Sequence, residues 1–104
     1  MLFYVQMRWN IEGRLSEDEL WNLEAEEADF NAQKETKDSG LVVGLYKVAA
    51  QRRVIGIVNV DSIEELDRTA MGRLPMREYL EFEQVLPLRA YEGFIEDVKA
   101  HYKV

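Results

Sequence analysis

The stretch that decides the fold is "LVVGLYKVAAQRRVIGIVNV", residues 41–60. Two apolar runs, "LVVGLYKVAA" and "RVIGIVNV", flank a break near Gln51. β-branched and aromatic residues suit a pleated backbone, and a short break between two such runs predicts a hairpin. Outward toward the N-terminus, Gly40 fits the left-handed position that ends a long helical pattern. That pattern begins at a capping box, Ser16 with Glu19. Before it, "NIEGR" closes the alternating strand "MLFYVQMRW". Outward in the other direction, Asp61 and Ser62 cap a second helix, with Glu65 completing a box from Ser62, and Pro75 stops it. "YLEFEQVLPL" then reads as a strand ending at Pro87, and "YEGFIEDVKAHY" as a terminal helix.

The order β-α-β-β-α-β plus a C-terminal helix predicts an α+β chain. The arrangement is ferredoxin-like, a split βαβ of the dimeric α+β barrel type. One antiparallel sheet then carries two helices on one face, with the first and third strands central. The bare face has no helices of its own and must meet a partner, which makes a homo-oligomer the physical default.

Composition bounds the function. The 104 residues fit a single domain, 1–104, and a balance of 47% apolar to 32% charged residues is that of a globular chain. No apolar run is long enough to span a membrane, and the start is too polar for a signal peptide. Cysteine is absent, which excludes thiolate chemistry and disulfides and suits a cytoplasmic setting. A net charge of −7, with thirteen basic residues scattered among twenty acids, excludes the electrostatic footprint of a nucleic-acid binder. No Ser-His-Asp set, phosphate-binding glycine loop or metal-ligand cluster is visible. His101, the lone histidine, reads as exposed near the chain end. What remains is cofactor-free proton transfer, or ligand binding without chemistry.

Two constellations could carry such chemistry. On the helix "LWNLEAEEADFNA", residues 20–32, helical angle places the apolar residues on one broad arc. Glu24, Glu27 and Asn31 form an i, i+3, i+7 line down the middle of it. Either the helix packs along two edges and leaves a wet seam, or the line opens into a pocket between helix and sheet. In the second case a partly desolvated Glu27, flanked by Leu20 and Leu23, is the candidate general base. In the first strand, Phe3, Val5, Met7 and Trp9 share one face, and Tyr4, Gln6 and Arg8 the other. The polar set is either a hydrogen-bonded patch at a subunit contact or a group of donors for an anionic substrate, with Arg8 suited to a carboxylate. The two constellations share a pocket only if Tyr4, Gln6 and Arg8 point toward the helices. Arg52 and Arg53, at the hairpin tip, are solubilising charges or a substrate clamp. Glu81 and Glu83 alternate with apolar residues as the solvated face of a strand.

The chain resembles the muconolactone isomerase family. The resemblance rests on "MLFYVQM", "AQKETKDSG", "GLYKVAA", "VDSIEELDRTAMGRLP" and "LPMREYLEFEQVLPL" in that order, over residues 1–89. The tail 90–104 lies beyond it. The resemblance implies a ferredoxin-like fold and homo-oligomers built from dimers, decamers in the family. It also implies a cytoplasmic role in aromatic breakdown, without metal or cofactor. The family reaction moves a proton to shift a double bond in an unsaturated lactone, and some relatives eliminate chloride instead. The family's helical glutamate falls at Glu27 or its neighbours; histidines stand in the family where Tyr4 and Gly44 stand here.

These readings converge on an isomerase-like protein whose partner is a small lactone or carboxylic acid. Glu27 is base, Tyr4 and Gln6 oxyanion donors, Arg8 the carboxylate anchor, and Glu24, Asn31 and Arg52 further substrate contacts. Two rivals stay open: a non-catalytic ligand-binding accessory of an aromatic-oxygenase or polyketide-type cluster, and a cofactor-free monooxygenase or cyclase on the same scaffold.

Overall fold

Alternation in the first strand determines which way the sheet faces. In the computed structural model, which describes residues 1–32 and 42–104, strand β1 (Leu2–Trp9) buries Phe3, Val5, Met7 and Trp9 and leaves the alternate residues half-exposed. The apolar set wins the core face because burying it removes far more hydrocarbon from water than burying Tyr4, Gln6 and Arg8.

Helix α1 (Glu17–Ala32) starts at the predicted box: Glu19 N–H donates to Ser16 Oγ at 3.1 Å and Ser16 N–H to Glu19 Oε1 at 3.0 Å. Its predicted end at Gly40 lies outside the described residues. Strands β2 (Val42–Lys47) and β3 (Arg53–Asn59) form the hairpin, whose tip holds Ala50 in the left-handed region at φ 61°. Helix α2 (Ile63–Arg68) is capped by Ser62, whose side chain accepts from Glu65 N–H at 3.2 Å. The reciprocal half of that box is not formed. The Glu65 carboxylate instead pairs with Arg68 and Arg73, which offer it charge as well as hydrogen bonds. α2 widens into a π turn, Thr69–Arg73, closed by Leu74 N–H on Thr69 O at 3.2 Å, and Pro75 forces Leu74 into an extended backbone that ends it. Strand β4 (Leu80–Leu88) runs one residue beyond Pro87, and helix α3 (Tyr91–Lys99) follows with none of its residues buried.

The strand order is β2-β3-β1-β4, every neighbouring pair antiparallel, so β1 and β3 are central as the order of elements predicts. β4 is an edge strand, and Pro87 is tolerated there because only one side of the strand needs donors. A bulge opposite Gln6 and Met7 inserts Glu83 into β4.

Two clusters fill the space between the sheet and α1 and α2. Phe3, Val5, Met7 and Val60 pack with Leu66 and Phe82, and Trp9, Ile11, Leu20 and Met76 with Leu15 and Leu23. Among the described residues, no helix is long and apolar enough to cross a membrane.

Candidate active site

The carboxylate line of α1 faces the sheet. Leu20 and Glu27 are buried and Leu23, Glu24, Phe30 and Asn31 half-buried, whereas Trp21, Ala25, Ala28 and Ala32 are exposed. The packed arc is therefore narrower than the sequence predicts. Three of the residues on the discarded flank are alanines, which bring little apolar area to the core. Glu27 and Asn31 end up at the centre of the packed face, and no wet seam forms beneath Glu27, which is only 6% exposed.

Glu27 lines a cavity of about 70 Å³ with Val5, Met7, Phe30, Leu66, Thr69, Ala70, Leu74 and Phe82. The π turn supplies Thr69 and Ala70, so the widened helix end is one wall of the site. Glu27 Oε1 accepts the Met76 N–H at 3.0 Å, while Oε2 has no hydrogen-bond partner among the described residues. Burial raises the Glu27 pKa, opposed by the Met76 hydrogen bond. Such a carboxyl is a stronger base, when ionised, than one in water.

Asn31 and Leu45 also line a wider cleft of about 370 Å³, with Trp9, Glu24, Ala28, Tyr46, Lys47 and Val54. The two spaces thus adjoin across Asn31 and Leu45. Burial, then repulsion from Glu27, lifts Glu24 from 4.5 to about 7, against hydrogen bonding from the Trp9 indole N–H, which lowers it. Trp9 Nε1 is itself buried, and the Glu24 carboxyl beside it is the acceptor it meets, without close, well-aligned geometry. Lys47 Nζ lies 5.7 Å from the Trp9 ring centroid and donates to the carbonyls of Val48 and Gln51.

Tyr4, Gln6 and Arg8 do not join this site. They lie on the helix-free face, with the sheet between them and Glu27, so a single cavity uniting the two constellations is corrected. On that face Tyr4 Oη donates to Gln6 Oε1 at 2.9 Å and Gln6 Nε2 to Glu83 Oε1 at 3.0 Å. Arg53 donates to both Glu83 oxygens at 2.8 and 3.1 Å, and Arg8 Nε donates to Glu81 at 3.0 Å. The bulge turns Glu83 toward this network, and its pKa is lowered chiefly by the Arg53 hydrogen bond. Arg52 lines a neighbouring groove with Glu17, Trp21 and Gln51, which shares Trp9 and Lys47 with the wider cleft.

Of the expected contacts, Glu24, Glu27 and Asn31 come together, Tyr4, Gln6 and Arg8 lie across the sheet, and Arg52 lies in the groove that adjoins the cleft. Trp9 and Lys47 in the cleft, Thr69 in the inner cavity and the Met76 N–H on Glu27 are groups that the sequence reading missed. Alternation puts Trp9 on the face of Val5 and Met7 without saying that this face meets the helices; the Met76 N–H and the π turn had no signal in residue type. The family model described as muconolactone delta-isomerase matches residues 1–93 of the chain. No curated protein matches it.

Proposed function

We propose that this chain, which belongs to the muconolactone delta-isomerase family, moves a proton within an unsaturated lactone and so shifts its double bond, with Glu27 as the base. The observation that carries this reading is a buried carboxyl, raised in pKa, with one oxygen held by Met76 N–H and the other without a hydrogen-bond partner among the described residues, in a largely apolar cavity. Ionised Glu27 takes the ring proton γ to the lactone carbonyl. The electrons of that C–H bond form the new double bond, the old one moves toward the carbonyl, and negative charge collects on oxygen. The same carboxyl then returns the proton at the α carbon, and the double bond has migrated with no net change in protons or electrons. The inner cavity alone is too small for a ring, so the substrate spans it and the adjoining cleft, whose volume suits a small molecule. Lys47 on the cleft wall takes the place of Arg8 as the cation for a substrate carboxylate.

Glu27→Gln tests the assignment, because the amide oxygen still accepts from Met76 N–H while the base is lost. Incubating parent and variant with a panel of muconolactones in deuterated water should place solvent deuterium on a ring carbon with the parent alone. Equal deuterium incorporation by both proteins removes Glu27 from the reaction. If the parent binds the lactones saturably but neither exchanges nor converts them, the accessory-protein reading replaces catalysis.

The same proposal includes assembly through the helix-free face. Tyr46, Leu86 and Leu88 are exposed there, beside half-buried Leu2, Ile55 and Ile57. Apolar area of that kind on a sheet is stabilised by a second copy.

A further inference from the structure

Helix α3 carries an apolar stripe that no other element buries. Tyr91, Phe94, Ile95 and Val98 recur at i, i+3, i+4 and i+7, the spacing of one helical face. None of the helix's residues is buried, and Tyr91 and Val98 are exposed. So short a helix is not stable in water by propensity; packing of its apolar face has to supply the stability. Local contacts hold the segment ready for that packing. Arg89 Nη2 donates to the Asp97 carboxylate at 2.7 Å, which ties the helix to the chain leading out of β4. His101 and Tyr102 adopt the left-handed backbone, at φ 53° and 55°, and bring the Tyr102 ring to 6.3 Å from that of Phe94. Consecutive left-handed residues with side chains cost free energy and persist where further contacts stabilise them. The radius of gyration is 16.2 Å against about 13 Å for a compact chain of this length, as expected of a segment held off the body.

A groove of matching character lies elsewhere on the same chain, between α2 with its π turn and β4. Ile63, Met71 and Val85 line it and are exposed, and half-buried Leu66, Ala70 and Phe82 lie deeper, around a volume of about 180 Å³. The charged residue on its lining is Asp67, and the end of the C-terminal segment carries Lys99 and Lys103. Leu66, Ala70 and Phe82 also line the Glu27 cavity. The groove is therefore the other side of that cavity's wall, and whatever fills it shields the cavity from water.

We infer that α3 is an exchanged arm: its apolar stripe seats in the groove of a second copy of this chain, beside Ile63, Met71 and Val85, and closes the outer wall of that copy's Glu27 cavity. The second copy returns its own α3 to the first. A copy of the chain is the occupant because one sequence carries both halves of the contact, an apolar stripe ending in lysines and an apolar groove bearing an aspartate. Reciprocal exchange closes on a two-fold axis and uses each half once per copy, which leaves neither apolar surface in water. The groove opens on the helix side of the sheet, opposite the helix-free face, so one copy can use both contacts at once. The inference depends on where the Glu27 cavity lies and not on the reaction assigned to it.

Two measurements test this. The chain has no cysteine, so thiols can be placed one at a time. Full-length Met71→Cys and Val98→Cys chains, co-expressed, should be joined by a short bismaleimide into a mixed pair. That reagent tolerates looser geometry than a disulfide. Linkage of Val98→Cys chains only to one another means that α3 pairs with α3, and overturns the inference. A Met71→Cys/Val98→Cys double variant that links within a single chain overturns it too, because the arm then folds back on its own groove. So does the absence of any mixed pair when Ile63→Cys and Val85→Cys are tried in place of Met71→Cys. The second measurement uses Val98→Asp on the stripe and Met71→Asp on the groove, both at exposed positions. Each should weaken association about tenfold or more in sedimentation, since a carboxylate is then buried at the contact. A soluble gadolinium chelate should broaden the Leu66 and Ala70 methyl signals more strongly in Val98→Asp than in the parent. Unchanged sedimentation in both variants, or equal broadening in Val98→Asp and parent, overturns the inference while leaving Glu27 as base.

Discussion

Replacing Glu24 with glutamine separates the energetics of the two carboxyls on α1. Burial first, and the charge of Glu27 second, lift the Glu24 pKa from 4.5 to about 7, with the Trp9 indole opposing them. A rise of that size corresponds to roughly 3 kcal/mol of preference for the protonated form, reduced to about 2 kcal/mol by the screening available to a half-buried side chain. The sign follows from proton uptake. Between pH 4.5 and about 7 the unfolded chain has already ionised Glu24 while the folded chain keeps its proton. Stability therefore falls as pH rises through that window and levels off above it. Glutamine does not ionise in either state. Parent and variant should therefore unfold alike in urea at about pH 4, apart from a constant offset, and the variant should gain about 2 kcal/mol on the parent by about pH 8. Chain concentration is held fixed, since assembly also contributes to apparent stability. A difference between the two proteins that is independent of pH refutes burial as the source of the shift. A carboxyl-carbon titration of Glu24 in the Glu27→Gln variant divides the causes further: its midpoint should fall but stay above 4.5, because burial is the larger one.

Other perturbations report on other parts of the molecule. Leu20→Ala removes a side chain that is 1% exposed in the Trp9 cluster, and should cost about 2–5 kcal/mol in a denaturant titration. Ala50→Gly relieves a left-handed backbone at the hairpin tip, and should raise the melting temperature by an amount equivalent to about 0.5–1 kcal/mol. Glu83→Ala leaves Arg53 and Gln6 without their shared acceptor on the helix-free face. Sedimentation should then show a shift toward smaller species, and an unchanged mass at micromolar concentration removes that face from the assembly contact.

Much of the architecture was legible because it rests on local rules. The hairpin, both Ser-initiated helix starts, the stop at Pro75 and the central place of β1 and β3 follow from turn chemistry, capping and element order. Glu27 was legible for a related reason: helical angle depends on residue number, and a carboxylate between Leu20 and Leu23 has to face wherever they face. The failure lay in joining two correct periodicities. Strand alternation divides β1 into two faces without saying which is inside, and that choice is made by the total apolar area of Phe3, Val5, Met7 and Trp9 against the helices. The bulge at Glu83 and the π turn at Thr69–Arg73 were not legible either. Each inserts one residue into a regular pattern in response to tertiary packing, and neither is marked by residue type.

The outer strand β4 combines two features that each spoil it as a template: a register slip at Glu83 and a tertiary amide nitrogen, without N–H, at Pro87. An incoming strand from another molecule would find the hydrogen-bonding ladder broken in phase and missing a donor. Growth of a continuous ribbon along that rim is thereby suppressed, so a concentrated or newly synthesised pool of this acidic chain is guarded on that side against fibrillar stacking.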